Sequence, residues 1–317
     1  MPQEVSMRET YGQTLVEMGK ENPDIVVLDA DLSRSTMTQF FADAFPDRFF
    51  NCGIAEQNMV SIAAGLAASG KLPFASTFAV FVPGRCFDQI RMSIAQPKLN
   101  VKLVATHSGI SVGEDGTSHH SIEDLALIGS LPGFTVLVPA DAIEAAQALK
   151  VAATNYGPFY IRLCRSKTPL VYNEDYHFNL GKAVTMRQGK EVTIIAIGIM
   201  VAAALEASEN LKREGIDCRL LNMPTLKPID EVAIIKAAAE TRAIVTAEDH
   251  LEHGGLGSAV TRLLAKQQPA PVELVAIKDT YAKSGKPAEL LRRYGLTAKD
   301  IEQAVHTVIA RKGIDTS

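Results

Sequence analysis

Between Thr106 and His120 the chain reads Thr-His-Ser-Gly-Ile-Ser-Val-Gly-Glu-Asp-Gly-Thr-Ser-His-His. Three histidines, a glutamate and an aspartate among glycines and serines are poor core material, because each would need a polar partner once buried. They suit a polar ligand, since an imidazole donates, accepts or carries a proton near neutral pH. Metal binding is the competing chemistry, but no two histidines stand four apart on a helical period, so a zinc site ranks low. Upstream, Asn51-Cys52-Gly53-Ile54-Ala55-Glu56 sets a glycine turn before a carboxylate that opens an apolar helical run through Met59, Val60, Ile62, Ala63 and Leu66. Glu56 is then either a charge complementing a helix N-terminus or an acid group placed in a cleft, and residue type alone favours the first. Phe78 and Phe81, in Ser-Thr-Phe-Ala-Val-Phe, read as core on frequency; the open alternative is an aromatic pocket wall.

These residues need elements to hold them. Val101–Ala105 is a β-branched run immediately before the histidine loop, which places that loop at the C-terminal edge of a strand, where open α/β sheets bind ligands. Ile25–Leu28, Thr135–Val138 and Phe159–Leu163 read as further buried strands. Segments near 7–20, 56–70, 85–95, 122–130 and 141–154 read as helices, the last opening on Asp141 as N-cap. A polar, turn-rich tract follows, and then a second series: strands 192–197, 218–221, 243–247 and 272–276 alternating with helices 200–214, 230–239 and 255–267. The expected fold is α/β with two domains, each a mainly parallel sheet flanked by helices, over 1–171 and 190–317 with a linker at 172–189.

The 317 residues allow about two domains. Hydrophobic residues make up 47% and charged residues 21%, the balance of a packed globular chain. Lys plus Arg is 32 against 36 for Asp plus Glu, a net charge of −4 that offers no general attraction to nucleic acid or an anionic membrane. Cys52, Cys86, Cys164 and Cys218 form no CxxC pair and read as reduced thiols. The start carries no basic and apolar signal pattern, and the longest apolar stretch, 192–205, is about 14 residues against the roughly 20 that span a bilayer. The expectation is a soluble cytoplasmic protein with neither nucleic acid nor membrane as partner.

The order Gly-Ile-x-Glu, Ser-Thr-Phe-x-x-Phe, Thr-His-Ser-Gly-Ile-Ser-Val-Gly-Glu-Asp-Gly-x-Ser-His and Val-x-Pro-Ala-Asp resembles the C-terminal half of a transketolase: a pyrimidine-binding thiamine-diphosphate domain followed by the transketolase C-terminal domain. The likeness runs through Glu248-Asp249-His250 with Gly254-Gly255-Leu256-Gly257, and through the closing Asp279-Thr280-Tyr281, Pro287-Ala288-Glu289-Leu290-Leu291 and Tyr294-Gly295-Leu296-Thr297. It implies that Glu56 hydrogen-bonds N1′ of the cofactor's aminopyrimidine and exchanges a proton with it. It implies that Phe78 and Phe81 stack on that ring. His107, Asp115 and His119 would line the substrate channel: His107 with Arg165 receiving a sugar phosphate, Asp115 touching a sugar hydroxyl, His119 standing near the reacting carbonyl. Arg8 and Ser35 match two more phosphate-binding positions, and a guanidinium suits phosphate because it donates in pairs. Two departures stand out. Gly84 replaces a Tyr common in the family, and His120 replaces a residue that is usually Gln.

Thiamine-diphosphate enzymes hold the diphosphate through Mg²⁺ or Ca²⁺ on a Gly-Asp-Gly motif followed by an Asn. No such pair occurs here, since Gly113-Glu114-Asp115-Gly116 belongs to the histidine loop. The resemblance therefore implies a split transketolase: the metal ligands and the diphosphate site lie on an N-terminal-half subunit carrying Gly-Asp-Gly, in a heterotetramer acting on sugar phosphates, with no metal ligand on this chain. The rival enzymes are a 2-oxoacid dehydrogenase β subunit and a 1-deoxyxylulose-phosphate synthase fragment. A non-catalytic structural subunit is the rival outside catalysis.

Overall fold

Residues 3–312 are described by the computed structural model, and two mainly parallel sheets organise them. The first sheet sets six parallel strands in the order Thr135–Leu137, Phe159–Arg162, Lys102–Thr106, Leu72–Phe78, Ile25–Asp29, Phe49–Asn51. Its central strands are buried along their whole length, which is why they read as continuous apolar runs rather than alternating ones. The helices Met7–Glu21, Glu56–Ala68 and Ala142–Thr154 belong to this unit. Asp141 caps the last of these, its Oδ1 accepting the Glu144 N–H at 2.9 Å.

The second sheet runs Val272–Ile277, Ile244–Leu251, Val192–Ala196, Cys218–Asn222, all parallel, with Val184–Arg187 antiparallel at one edge. Helices Met200–Arg213, Glu231–Thr241, Leu256–Gln267 and Ala298–Lys312 flank it. Among the described residues no helix is long and apolar enough to cross a membrane.

Several details differ from the sequence reading. The linker tract 172–189 is itself packed: Tyr176 and Phe178 are buried against the first unit, and Val184–Arg187 is a strand. Thr225–Lys227 leaves the second unit and pairs antiparallel with Thr135–Leu137, adding a seventh strand to the first sheet. One hydrophobic cluster runs accordingly from Val26 and Met59 through Leu226 to Leu264. The helix expected over 85–95 is broken into Val82–Arg85, Phe87–Gln89 and a π-type turn Ile90–Ala95, with Pro83 fixing the entry. The helix expected near 122–130 is shorter, Asp124–Gly129. The chain closes on a helix, Ala298–Lys312, beyond the last segment of the sequence likeness, which ends at Thr297.

Candidate functional site

The C-terminal ends of the strands Leu72–Phe78 and Lys102–Thr106 bring Phe78 and His107 together. Glu56 is the first residue of its helix, 3% exposed, and no side chain caps the N-terminus it occupies. Its Oε1 accepts a hydrogen bond from Arg85 Nη1 at 2.8 Å, and among the described residues no donor reaches Oε2. The Arg85 guanidinium lies over the Phe81 ring, 4.4 Å from its centroid. Phe78, the last residue of its strand, stacks on Phe81 at 5.7 Å and on the His107 imidazole at 3.7 Å. Phe78 is buried and Phe81 only partly so, which makes the pair both core and wall.

His107 follows the strand Lys102–Thr106 in a left-handed backbone conformation, φ 58°. Thr106 Oγ1 lies 2.9 Å from its Nδ1. Burial first, then the charges of Arg8 and Arg165 and the His119 ring, push the His107 pKa down to about 3, so the ring is neutral at physiological pH. Arg8 ties two neighbouring segments together: its Nε donates to the Arg165 main-chain carbonyl at 3.2 Å, and its Nη1 donates to the Ser35 main-chain carbonyl. Burial, then Arg165, lowers the Arg8 pKa. Arg165 Nη1 donates to the Val112 carbonyl at 2.7 Å and lies 3.5 Å from Asp115 Oδ2. Arg165 has the Asp115 carboxylate within reach, while the Arg8 guanidinium donates to backbone carbonyls, an arrangement of donors that suits a tetrahedral oxyanion. His119 packs edge-on to Phe81 at 5.5 Å and lies 3.0 Å from Ser118 Oγ through its Nδ1.

The nine residues singled out from the sequence fall into two contact groups: Glu56, through Arg85, with Phe81, Phe78, His107 and His119, and Arg8 with Ser35, Arg165 and Asp115. The charges of Arg8 and Arg165 reach the His107 ring and link the two groups. His120 stands apart: it is buried, and its Nε2 pairs with the Gly113 carbonyl at 3.0 Å, so it pins the loop from within. At Gly84 a Cβ would meet only Leu127, at 3.9 Å, which leaves open the space a larger side chain would fill. Arg85 was missed. It lies 29 residues from Glu56 on a separate element, and only its position four after Phe81 hinted at it.

The Phe78 and Phe81 rings thus stand near a buried carboxylate whose second oxygen meets no donor among the described residues. Among the described residues no group of three or more His, Cys, Asp or Glu side chains is placed to hold a metal ion. A cleft of about 800 Å³, lined by Lys182, Lys227, Asp230 and Arg262 among others, lies away from these residues at the seam of the two units.

The family model for the transketolase pyrimidine-binding domain matches residues 3–171, and that for the transketolase C-terminal domain matches 181–301. The chain is 46% identical over 302 residues to the "Putative transketolase C-terminal section" of Methanocaldococcus jannaschii, covering 94% of this chain and 95% of that protein. It is 41% identical over 306 residues to the 6-deoxy-6-sulfo-D-fructose transketolase subunit SqwH of a Clostridium species, covering 96% and 95%. The solved structure "Split gene transketolase, inactive beta4 tetramer" superposes with a TM-score of 0.91 at 52% identity, covering 97% of this chain and 99% of that one. Human transketolase matches at 40% identity, but the chain spans only 49% of its length. With two family models tiling almost its whole length, over an α/β fold of the kind their motifs implied, the chain belongs to the transketolase family.

Proposed function

We propose that this chain is the C-terminal subunit of a split transketolase. Paired with an N-terminal-half subunit, it transfers a two-carbon ketol unit from a ketose phosphate to an aldose phosphate. One observation carries the reading: a buried carboxylate is joined through the Arg85 guanidinium to two stacked aromatic rings and a neutral imidazole, and the charges of Arg8 and Arg165 reach that imidazole.

Thiamine diphosphate, when bound, supplies the chemistry that breaks and remakes the carbon–carbon bond. The chain's own residues bind, orient and move protons. Glu56 holds or returns a proton at the pyrimidine N1′ through the acceptor that Arg85 leaves free. Phe78 and Phe81 orient the ring and keep water off one of its faces. Arg8, Arg165, His107 and the Ser35 segment receive the sugar's terminal phosphate. Asp115 contacts a sugar hydroxyl, and His119 hydrogen-bonds near the reacting carbonyl. The Mg²⁺ or Ca²⁺ and the diphosphate belong, in this reading, to the partner's Gly-Asp-Gly motif, in a cytoplasmic heterotetramer with two sites. The words "section", "subunit" and "split gene" attached to the relatives support the same division of labour.

A second reading follows from SqwH. A sulfonate is also a tetrahedral oxyanion, so the arginine pair would receive a 6-sulfo sugar in place of a phosphate.

Reconstitution tests both readings. The chain alone is expected to bind thiamine diphosphate weakly and to show no ketol transfer; adding the Gly-Asp-Gly subunit restores both. Robust transfer by the chain alone sinks the split-subunit reading, and a preference for 6-deoxy-6-sulfo-D-fructose over ketose phosphates selects the second. Glu56→Gln in the complex is expected to lower turnover by about 10²-fold or more, the usual contribution of a positioned proton carrier, with an unchanged circular dichroism spectrum.

A further inference from the structure

Glu248, Asp249 and His250 are buried near the end of the strand Ile244–Leu251 in the second sheet, and the chemistry above uses none of them. The histidine loop belongs to the first sheet, yet its backbone rests on Asp249. Asp249 Oδ1 accepts the Ile110 N–H at 3.1 Å. That N–H opens the single 3₁₀ turn Ile110–Val112, where backbone donors have no partner within the turn. A Cβ built on Gly109 would stand 1.9 Å from Asp249 Oδ2, so the loop backbone lies directly against the carboxylate. With φ at +71°, Gly109 also occupies backbone space that L side chains rarely adopt.

Asp249 is itself fixed from behind. Its carbonyl accepts from Arg162 Nη2 at 2.9 Å, and Arg162 grips Asp124 with two hydrogen bonds, Nε to Oδ2 at 2.8 Å and Nη2 to Oδ1 at 3.1 Å. Both partners of that ion pair are buried. Further contacts cross the same seam: Ser284 Oγ donates to the Glu114 carbonyl at 2.6 Å, Thr117 Oγ1 donates to the Ala282 carbonyl, and Gly113 lies 3.0 Å from Pro287 by the same Cβ measure. His107 stands two residues before Gly109 with a left-handed backbone, a conformation that persists only where its surroundings over-determine it.

We propose that Asp249 is a positioning residue: from the second sheet it seats the turn Gly109–Val112, and through that turn it sets where His107, Asp115 and His119 stand. The C-terminal unit then shapes the sugar side of the site without touching the sugar. The consequence for turnover rests on the proposed function above; the seating of the histidines does not.

Two measurements on Asp249→Ala, with Asp249→Asn as the conservative control, test this. In the chain alone, the imidazole NMR signals of His107 and His119 are expected to shift or broaden in Asp249→Ala, while those of the exposed His253 and His306 stay in place. Asp249→Asn, which keeps an acceptor for the Ile110 N–H, is expected to restore them. In the reconstituted complex, Asp249→Ala is expected to raise KM for the ketose phosphate by about 10-fold or more, since small misplacements of binding groups are costly. Thiamine diphosphate affinity is expected to fall by clearly less than KM rises, because Phe78 touches His107 while Glu56 and Arg85 do not. If Asp249→Ala does not fold, Gly109→Ala disturbs the same contact from the loop side and must show the same split. Unmoved His107 and His119 signals, or a loss of cofactor affinity parallel to the rise in KM, overturns the proposal. Absence of ketol transfer in the wild-type complex would instead remove the proposed function, leaving the histidine signals to decide the positioning role.

Discussion

Glu56 and Arg85 show what the sequence reveals of a residue and what it hides. The glycine turn before Glu56 and the apolar run after it made its place on a helix legible, but nothing at that position said that a guanidinium would hold one carboxylate oxygen. That contact joins two elements, and no sequence period connects them. His107 carries a sharper consequence. Burial, then Arg8, Arg165 and His119, all disfavour its imidazolium, so its pKa of about 3 in the folded chain lies below the ordinary 6.5. A group lowered on folding contributes stability above its unfolded pKa, and loses it as the pH falls from about 6.5 toward 3. Nitrogen-15 NMR is therefore expected to find His107 neutral at pH 5, with Arg165→Met raising its pKa. A His107 that titrates near 6.5 in the wild type would contradict the packing described.

At the scale of elements, Asp141 does more than cap. Its Oδ1 takes the Glu144 N–H, and its Oδ2 takes the amides of Val171 and Tyr172 at 2.8 and 3.0 Å, so the same carboxylate ties the helix Ala142–Thr154 to the chain leaving the first unit. Asp141→Ala removes a cap worth about 1 kcal/mol and leaves the half-buried Val171 and Tyr172 amides without their acceptor, at about 1–3 kcal/mol. A loss of about 3 kcal/mol is expected by urea denaturation, with Asp141→Asn falling in between. The cap was legible because Asp before an Ala-rich run has one common meaning. Long buried strands such as Ile25–Asp29 and Val192–Ala196 were legible for the same kind of reason, a continuous β-branched run. Phe49–Asn51, Lys167–Pro169 and Thr225–Lys227 were not, because three residues carry no period and their pairing is decided by distant partners. The break in 82–95 escaped notice because its apolar spacing remains helical while its hydrogen bonds change.

Across the whole molecule, the two sheets are joined by buried polar groups as well as by a shared apolar core. Arg162 of the first sheet binds Asp124 and, through the Asp249 carbonyl, the second sheet. Removing one partner strands a buried charge: Asp124→Ala is expected to cost about 3–5 kcal/mol. The double change Asp124→Leu with Arg162→Met should cost clearly less than that, because no charge is left alone. Urea midpoints of the three proteins decide it, and a double variant as unstable as the single one would refute the account. The strand Thr225–Lys227 has a different bearing, on how such a chain can be taken apart. Cut between the two family-matched regions, the N-terminal piece would keep Thr135–Leu137 as a bare outer strand, open to pairing with another copy, and the C-terminal piece would carry Leu226 with nothing to cover it. The two regions are thus not interchangeable cassettes: a chimera that takes its C-terminal region from a relative also takes that relative's edge for the sheet on which the site is built.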